Sequence, residues 1–188
     1  MAVRRGGISM KKKEVQVEIH RRLSQGESKS FVFQILSGKG IKDRVVAHLI
    51  ASYADPKLCV RHGKLIKIIV AIAWIELVVG VFVSIVLFAK EGLIPTLLIT
   101  AFAVAFCYLF VWGFTNNKAW AYNVTMVLSM SSMVKTLTDF SQEPVAVTVA
   151  LIINGAVLAF TWYLRSKIFP DFLFVTPRKV NGAYIFSS

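Results

Sequence analysis

Apolar positions change rhythm twice along this chain. Between residues 12 and 53 they recur at helical spacing: Val15, Ile19 and Leu23 fall at i, i+4 and i+8, and Val45, Val46, Leu49 and Ile50 share one face. Gly26, then Gly38 and Gly40, then Asp55-Pro56 punctuate this stretch. The pattern predicts three helices over residues 12–25, 29–37 and 42–53, with Ser28 capping the second. The first two junctions repeat a Leu-Ser, Gly, Lys order before a new helix begins. Such helices either pack as a small bundle or lie on a membrane surface.

From residue 65 the apolar runs become continuous. Residues 65–89, 93–114, 119–138 and 144–164 are each long enough to span a bilayer, since about 20 residues at about 1.5 Å each cross about 30 Å of hydrocarbon. The gaps between them are three to five residues, which restricts sequential neighbours to antiparallel hairpins. After Arg165 the rhythm turns β-prone, with residues 172–175 and 183–186 flanking a Pro-containing turn. Asn181-Gly182 is a favourable turn dipeptide, although it abuts the second run. The expected fold is an all-α integral membrane protein. It has a basic helical region over 1–64 (with 1–9 disordered), a four-transmembrane-helix bundle over 65–164 and a small tail over 165–188, where a β-hairpin is a candidate.

Composition agrees with this class. Hydrophobic residues make up 56% and charged residues 17%, against about 45–50% and about 25% in soluble domains. Charge is also unevenly placed: 15 of the 22 Lys and Arg lie in the first 67 residues. Arg165, Lys167, Arg178 and Lys179 follow the last span, whereas Glu91, Asp139 and Glu143 lie in the first and third gaps. The positive-inside rule then places both termini in the cytoplasm, in a bacterial inner (cytoplasmic) membrane, and four spans satisfy that parity. Trp112, Trp120, Trp162, Tyr122 and Tyr163 all fall at the inner interface, as an aromatic belt requires. No cleavable signal peptide is read at the start.

Basic side chains near the inner face, namely Lys11, Lys12, Lys13, Arg21, Arg22, Arg61, Lys64 and Lys67, suit contact with anionic lipid of the cytoplasmic leaflet. Nucleic acid is the weaker reading, because five acids are interspersed and no set of stacking aromatics accompanies the cations.

Glu76 is the most informative residue. It lies 11 residues into the first span, about 16–17 Å deep, and a charge at that depth costs about 2.5–3.5 kcal/mol on insertion scales. Counting inward from the inner face puts Ser129 and Asn154 at about 15 Å, the same level. Glu76, Ser129 and Asn154 thus form a candidate intramembrane polar cluster. It serves as a proton or cation site, as an interhelical hydrogen-bond clasp contributing about 0.6 kcal/mol on average, or as a partner site in which Glu76 answers a polar group on another protein. Small residues near every fourth position, Gly80 and Ser84 in the first span and Ala146, Ala150, Gly155 and Ala159 in the fourth, mark faces for helix packing or for a partner.

No span contains His, and His20, His48 and His62 have no metal-ligand spacing, so no metal or cofactor is expected. Cys59 and Cys107 have no redox spacing, and the common hydrolase, nucleotide-binding and metalloprotease motifs are absent. The layout resembles small four-span inner-membrane proteins of bacteria, which is a class and not a function. The expected role is non-enzymatic: binding another membrane protein or a second copy of itself, as an accessory or regulatory subunit or as an immunity-type protector against a toxin. The alternative is a small oligomeric ion channel or proton-coupled transporter using Glu76.

Overall fold

The computed structural model describes residues 11–88, 93–138 and 144–187. Residues 1–9, the first gap and the third gap, with Lys90, Glu91, Asp139 and Glu143, lie outside the described residues. The chain divides into two compact units: residues 1–53 with 169–188, and residues 54–168.

The first unit is built on α1 (Lys12–Ser24), α2 (Lys29–Leu36) and α3 (Asp43–Ala51). Glu14 accepts the Lys11 backbone N–H at 2.9 Å, and the Ser28 hydroxyl accepts that of Phe31 at 3.3 Å. At the end of α1, Gly26 takes φ +87°, with Gly26 N donating to Leu23 O and Glu27 N to Arg22 O. These are the paired bonds of a Schellman cap. The apolar faces meet one another, burying Val15, Ile19, Leu23, Val32, Leu36, Val46 and Ile50. Of the two arrangements open to these helices, the structure adopts the bundle.

The C-terminal tail completes that core. Residues 165–168 continue the last helix of the other unit, so the tail boundary falls at Phe169 rather than at residue 165. Phe186 is buried among the three helices and packs on Phe33 at 5.5 Å between ring centroids. The tail hairpin pairs β1 (Lys179–Val180) with β2 (Ala183–Tyr184), in antiparallel register Lys179 to Tyr184. The expectation of one strand over 172–175 is corrected: that segment contributes a single bridge, Phe172 to Pro177. Asn181 and Gly182 have φ +49° and +81°, and two consecutive positive-φ residues make the two-residue turn that fixes this register.

The second unit opens with α4 (Pro56–Arg61), absent from the sequence reading. The Asp55 carboxylate caps it through the Lys57 N–H at 2.8 Å, and Pro56 fits the first turn because its missing N–H needs no partner there. Then follow α5 (Gly63–Phe88), α6 (Leu93–Thr115), α7 (Ala119–Thr138) and α8 (Pro144–Ile168). Three of these, α5, α6 and α8, are long and apolar enough to cross a membrane. α7 has sufficient length, but Asn123, Thr125, Ser129, Ser131, Ser132 and Lys135 make it more polar. The outward faces of α5, α6 and α8 expose Ile75, Phe82, Leu98, Phe102 and Ile152, a surface suited to hydrocarbon rather than water.

α5 packs along α6 and α7 along α8, while contact between the two hairpins is sparser. Burial follows that layout. Ile66, Ile69, Ala73, Val111, Phe114, Tyr122, Met126, Leu164 and Ile168 form the packed base. Toward the far end only scattered positions such as Ser84, Thr96 and Val147 are buried among the described residues.

Candidate functional site

The two hairpins leave a pocket of about 220 Å³ between them, just beyond the packed base. Glu76 and Ala73 line it from α5, one turn apart. Phe106, Cys107 and Phe110 line it from α6. The opposite wall is α7, which presents Thr125, Ser129 and Ser132 at i, i+4 and i+7 with Leu128 beside them, and α8 adds Asn154. Glu76, Ser129 and Asn154 therefore share one cavity.

Glu76 is exposed and lines the pocket, and Ser129 and Asn154 are half-buried. No ion pair or side-chain hydrogen bond joins Glu76 to another described residue. A clasp would have brought the carboxyl onto the hydroxyl or the amide. Here the acid and the polar wall face each other across open volume. An ionised carboxylate in hydrocarbon requires a countercharge or a proton. The pocket supplies oxygen acceptors, hydroxyl donors and no basic side chain.

Its aromatic wall, Phe106 and Phe110, was missed by the sequence reading. Phe102, Phe106, Phe110 and Phe114 stand four apart on α6 and form a ladder, with centroids 6.3, 5.1 and 6.5 Å apart along it. Phe110 is held edge-on by Trp120 at 5.8 Å. The i, i+4 spacing of these rings is visible in the sequence and was the available signal.

A second polar feature closes the packed base. Arg165 is 2% exposed, and its Nε donates to Asn123 Oδ1 at 2.7 Å, linking α8 to α7. Thr161, one turn before Arg165, and Tyr122, next to Asn123, are fully buried. The sequence reading treated Arg165 as a tail cation at the inner face; the structure places it inside the helical unit instead.

The small-residue positions divide. Ser84 is buried and donates to the Gly80 carbonyl at 2.7 Å, a bond within α5. Space around Gly80 is open, and Gly155 faces the Met133 methyl. Ala150 is half-buried, while Ala146 and Ala159 are exposed.

Of the basic residues proposed for lipid contact, Lys11, Lys12, Lys13, Arg61, Lys64 and Lys67 are exposed. Arg21 and Arg22 instead bind Glu18 at 2.7 and 2.6 Å, and Arg22 also reaches Glu27 at 3.1 Å. These bonds hold the Glu18 carboxyl down to about 2 and raise both guanidinium groups. In α4, burial and then Asp55 push the Cys59 thiol up. Among the described residues no three His, Cys, Asp or Glu side chains gather to hold a metal. No family model, curated protein or solved structure matches the chain.

Proposed function

We propose that this chain is a non-enzymatic four-span protein of the bacterial cytoplasmic membrane that binds and carries a cationic species, with Glu76 exchanging a proton for it. The observation that carries this reading is Glu76, joined to no described residue by an ion pair or side-chain hydrogen bond, sharing one cavity with hydroxyl and amide groups. A purely structural clasp leaves no reason for that volume. Because four helices rarely enclose a pathway, the carrier works as a dimer or larger ring.

Parity supports α7 as the fourth span. The N-terminal helices and the C-terminal tail share one core, joined by Phe33–Phe186 and by Lys29–Asp171. Two segments that fold together lie on one side of a membrane, so the number of crossings between them is even. With three helices long and apolar enough to cross, an even number favours α7, which has suitable length, as the fourth. Arg61, Lys64 and Lys67, at the beginning of the first span, favour the cytoplasmic leaflet for that side and contact its anionic lipid.

The test is flux of protons and monovalent cations in proteoliposomes, comparing wild type with Glu76→Gln. Flux abolished by the substitution supports a carrier; no flux from folded wild-type protein overturns it. The second reading is a receptor for the membrane-spanning segment of another protein or a second copy, favoured by the outward-facing Ala146 and Ala159 of α8. It predicts that Glu76→Gln retains partner cross-linking in native membranes.

A further inference from the structure

The character of the pocket walls restricts which cation fits. A small inorganic cation stripped of water needs several oxygen ligands converging on one point. Here a single carboxylate stands on one helix hairpin and the hydroxyl and amide oxygens stand on the other. Beside Glu76 the wall is aromatic and aliphatic: Phe106, Phe110 and, across the cavity, Leu128. Ring faces attract organic cations, and more strongly where the site is desolvated. A volume of about 220 Å³ also exceeds what one dehydrated metal ion or a few waters need, each water occupying about 30 Å³.

We propose that the pocket between the two hairpins binds a hydrophobic organic ammonium ion, its charge on Glu76 and its apolar body between Phe106, Phe110 and Leu128. This rests on the reading of Glu76 as the cation site and specifies its ligand class. The exchange balances simply. The protonated Glu76 carboxyl releases its proton to water, the cation enters, and the site stays neutral; departure of the cation reverses both steps. Thr125, Ser129, Ser132 and Asn154 on the opposite wall accommodate substituents that carry hydrogen-bonding groups. Of the other residues lining the pocket, α6 contributes one titratable group, Cys107, and α7 and α8 contribute hydroxyls and an amide.

Purified full-length protein in detergent is titrated with benzyltrimethylammonium, with binding read by calorimetry and proton release by a pH electrode in weak buffer. Binding accompanied by proton release is expected, and Glu76→Gln weakens it by roughly thirtyfold or more, as loss of one partner of a desolvated charge pair does. Phe106→Leu, which keeps the apolar volume, weakens it roughly two- to thirtyfold. Should either variant fold poorly, wild type alone decides: benzyltrimethylammonium must bind more tightly than tetramethylammonium, sodium or potassium, and its binding must release a proton. Binding that ignores Glu76→Gln overturns the proposal, as does equal preference for sodium or potassium, or no binding to folded wild type. If liposomes carry inorganic cations through Glu76 while the ammonium ion fails to bind, the carrier reading stands and this one falls. If the ammonium ion binds and no flux of any cation is seen, the site stands and the carrier reading falls.

Discussion

Lys29 donates its ammonium to Asp171 at 2.6 Å, tying α2 to the segment just beyond α8 across 142 positions of sequence. Asp171 is 2% exposed and also accepts from the Ser187 hydroxyl at 2.7 Å and the Ser187 N–H. One carboxylate thus holds the N-terminal helices, the beginning of the tail and its end. Removing one partner of a buried pair typically costs about 3–5 kcal/mol, because the other charge is left without compensation. Asp171→Ala is expected to loosen the tail from α1–α3. Amide exchange should accelerate over residues 172–187 and in α2, while α5 and α6 keep their protection.

The same linkage has a topological consequence. Reporter fusions after Asn117 and at either terminus are expected on one side of the membrane, and a fusion between Thr138 and Pro144 on the other. If fusions after Asn117 and after Thr138 report the same side, α7 does not cross, and the shared core of the two termini conflicts with the remaining spans.

Much of this architecture can be read from the chain, because the relevant physics is local or periodic. The Val15, Ile19, Leu23 spacing marks the buried face of α1, and the hydroxyl of Ser28 caps α2 where a Gly turn precedes it. A fixed rise per residue let Glu76, Ser129 and Asn154 be assigned a common depth. Other features depend on partners distant in sequence. Asp171 reads as an ordinary tail acid until Lys29 and Ser187 are seen around it. Arg165 reads as an interfacial cation, because cations at span ends usually reach for water; Asn123, 42 residues away, draws it inward. The hairpin register was hidden because positive φ at both Asn181 and Gly182 outweighs the β-propensity of residues 172–175.

Acid should weaken the first unit in two stages. Burial, with the charges of Lys12 and Arg44, holds the His48 imidazole below its usual 6.5. The folded state therefore disfavours the charged ring. Its contribution is intact above pH 6.5 and is lost as pH falls through the lower folded value. Glu18, held to about 2 by Arg21 and Arg22, contributes above its ordinary value of 4.5 and loses that contribution as pH falls toward 2. Glu18 stays in contact with water, so its effect is small and shrinks with salt. Exchange of α1 and α3 amides against pH should show both stages, with His48→Gln removing the upper and Glu18→Gln the lower.

Gly113 and Gly80 should behave oppositely toward alanine. A Cβ built on Gly113 falls 2.6 Å from the Ala121 Cβ and 3.0 Å from the Trp120 ring, where α6 turns into α7. The turn itself is fixed by Lys118 N donating to Gly113 O and Asn117 N to Phe114 O, with Asn117 at φ +49°. Neither chain can move aside cheaply. Gly113→Ala is expected to cost about 1–3 kcal/mol, the usual range for overpacking. Gly80 meets nothing within 4 Å, and Gly80→Ala should be neutral or raise Tm slightly through helix propensity. Thermal unfolding of the two variants in one detergent separates the cases.

The Arg165–Asn123 bond allows the cost of a buried cation to be measured against its use. Arg165 lies in the packed base with Leu164 and Ile168 beside it in α8, and Asn123 reaches it from α7 at 2.7 Å. Hydrogen bonds to charged groups contribute about 1.5–3 kcal/mol net, about twice the neutral case. Asn123→Leu removes the acceptor of the Arg165 Nε–H and Arg165→Met removes the donor, so each is expected to weaken the link between α7 and α8. The double variant should lose less than the sum of the two single losses, because the shared bond is lost only once. A double-mutant cycle on detergent-purified protein reads this directly as a coupling energy. Additive losses would mean that Arg165 and Asn123 stabilise the base independently, and that their bond does not couple α7 to α8.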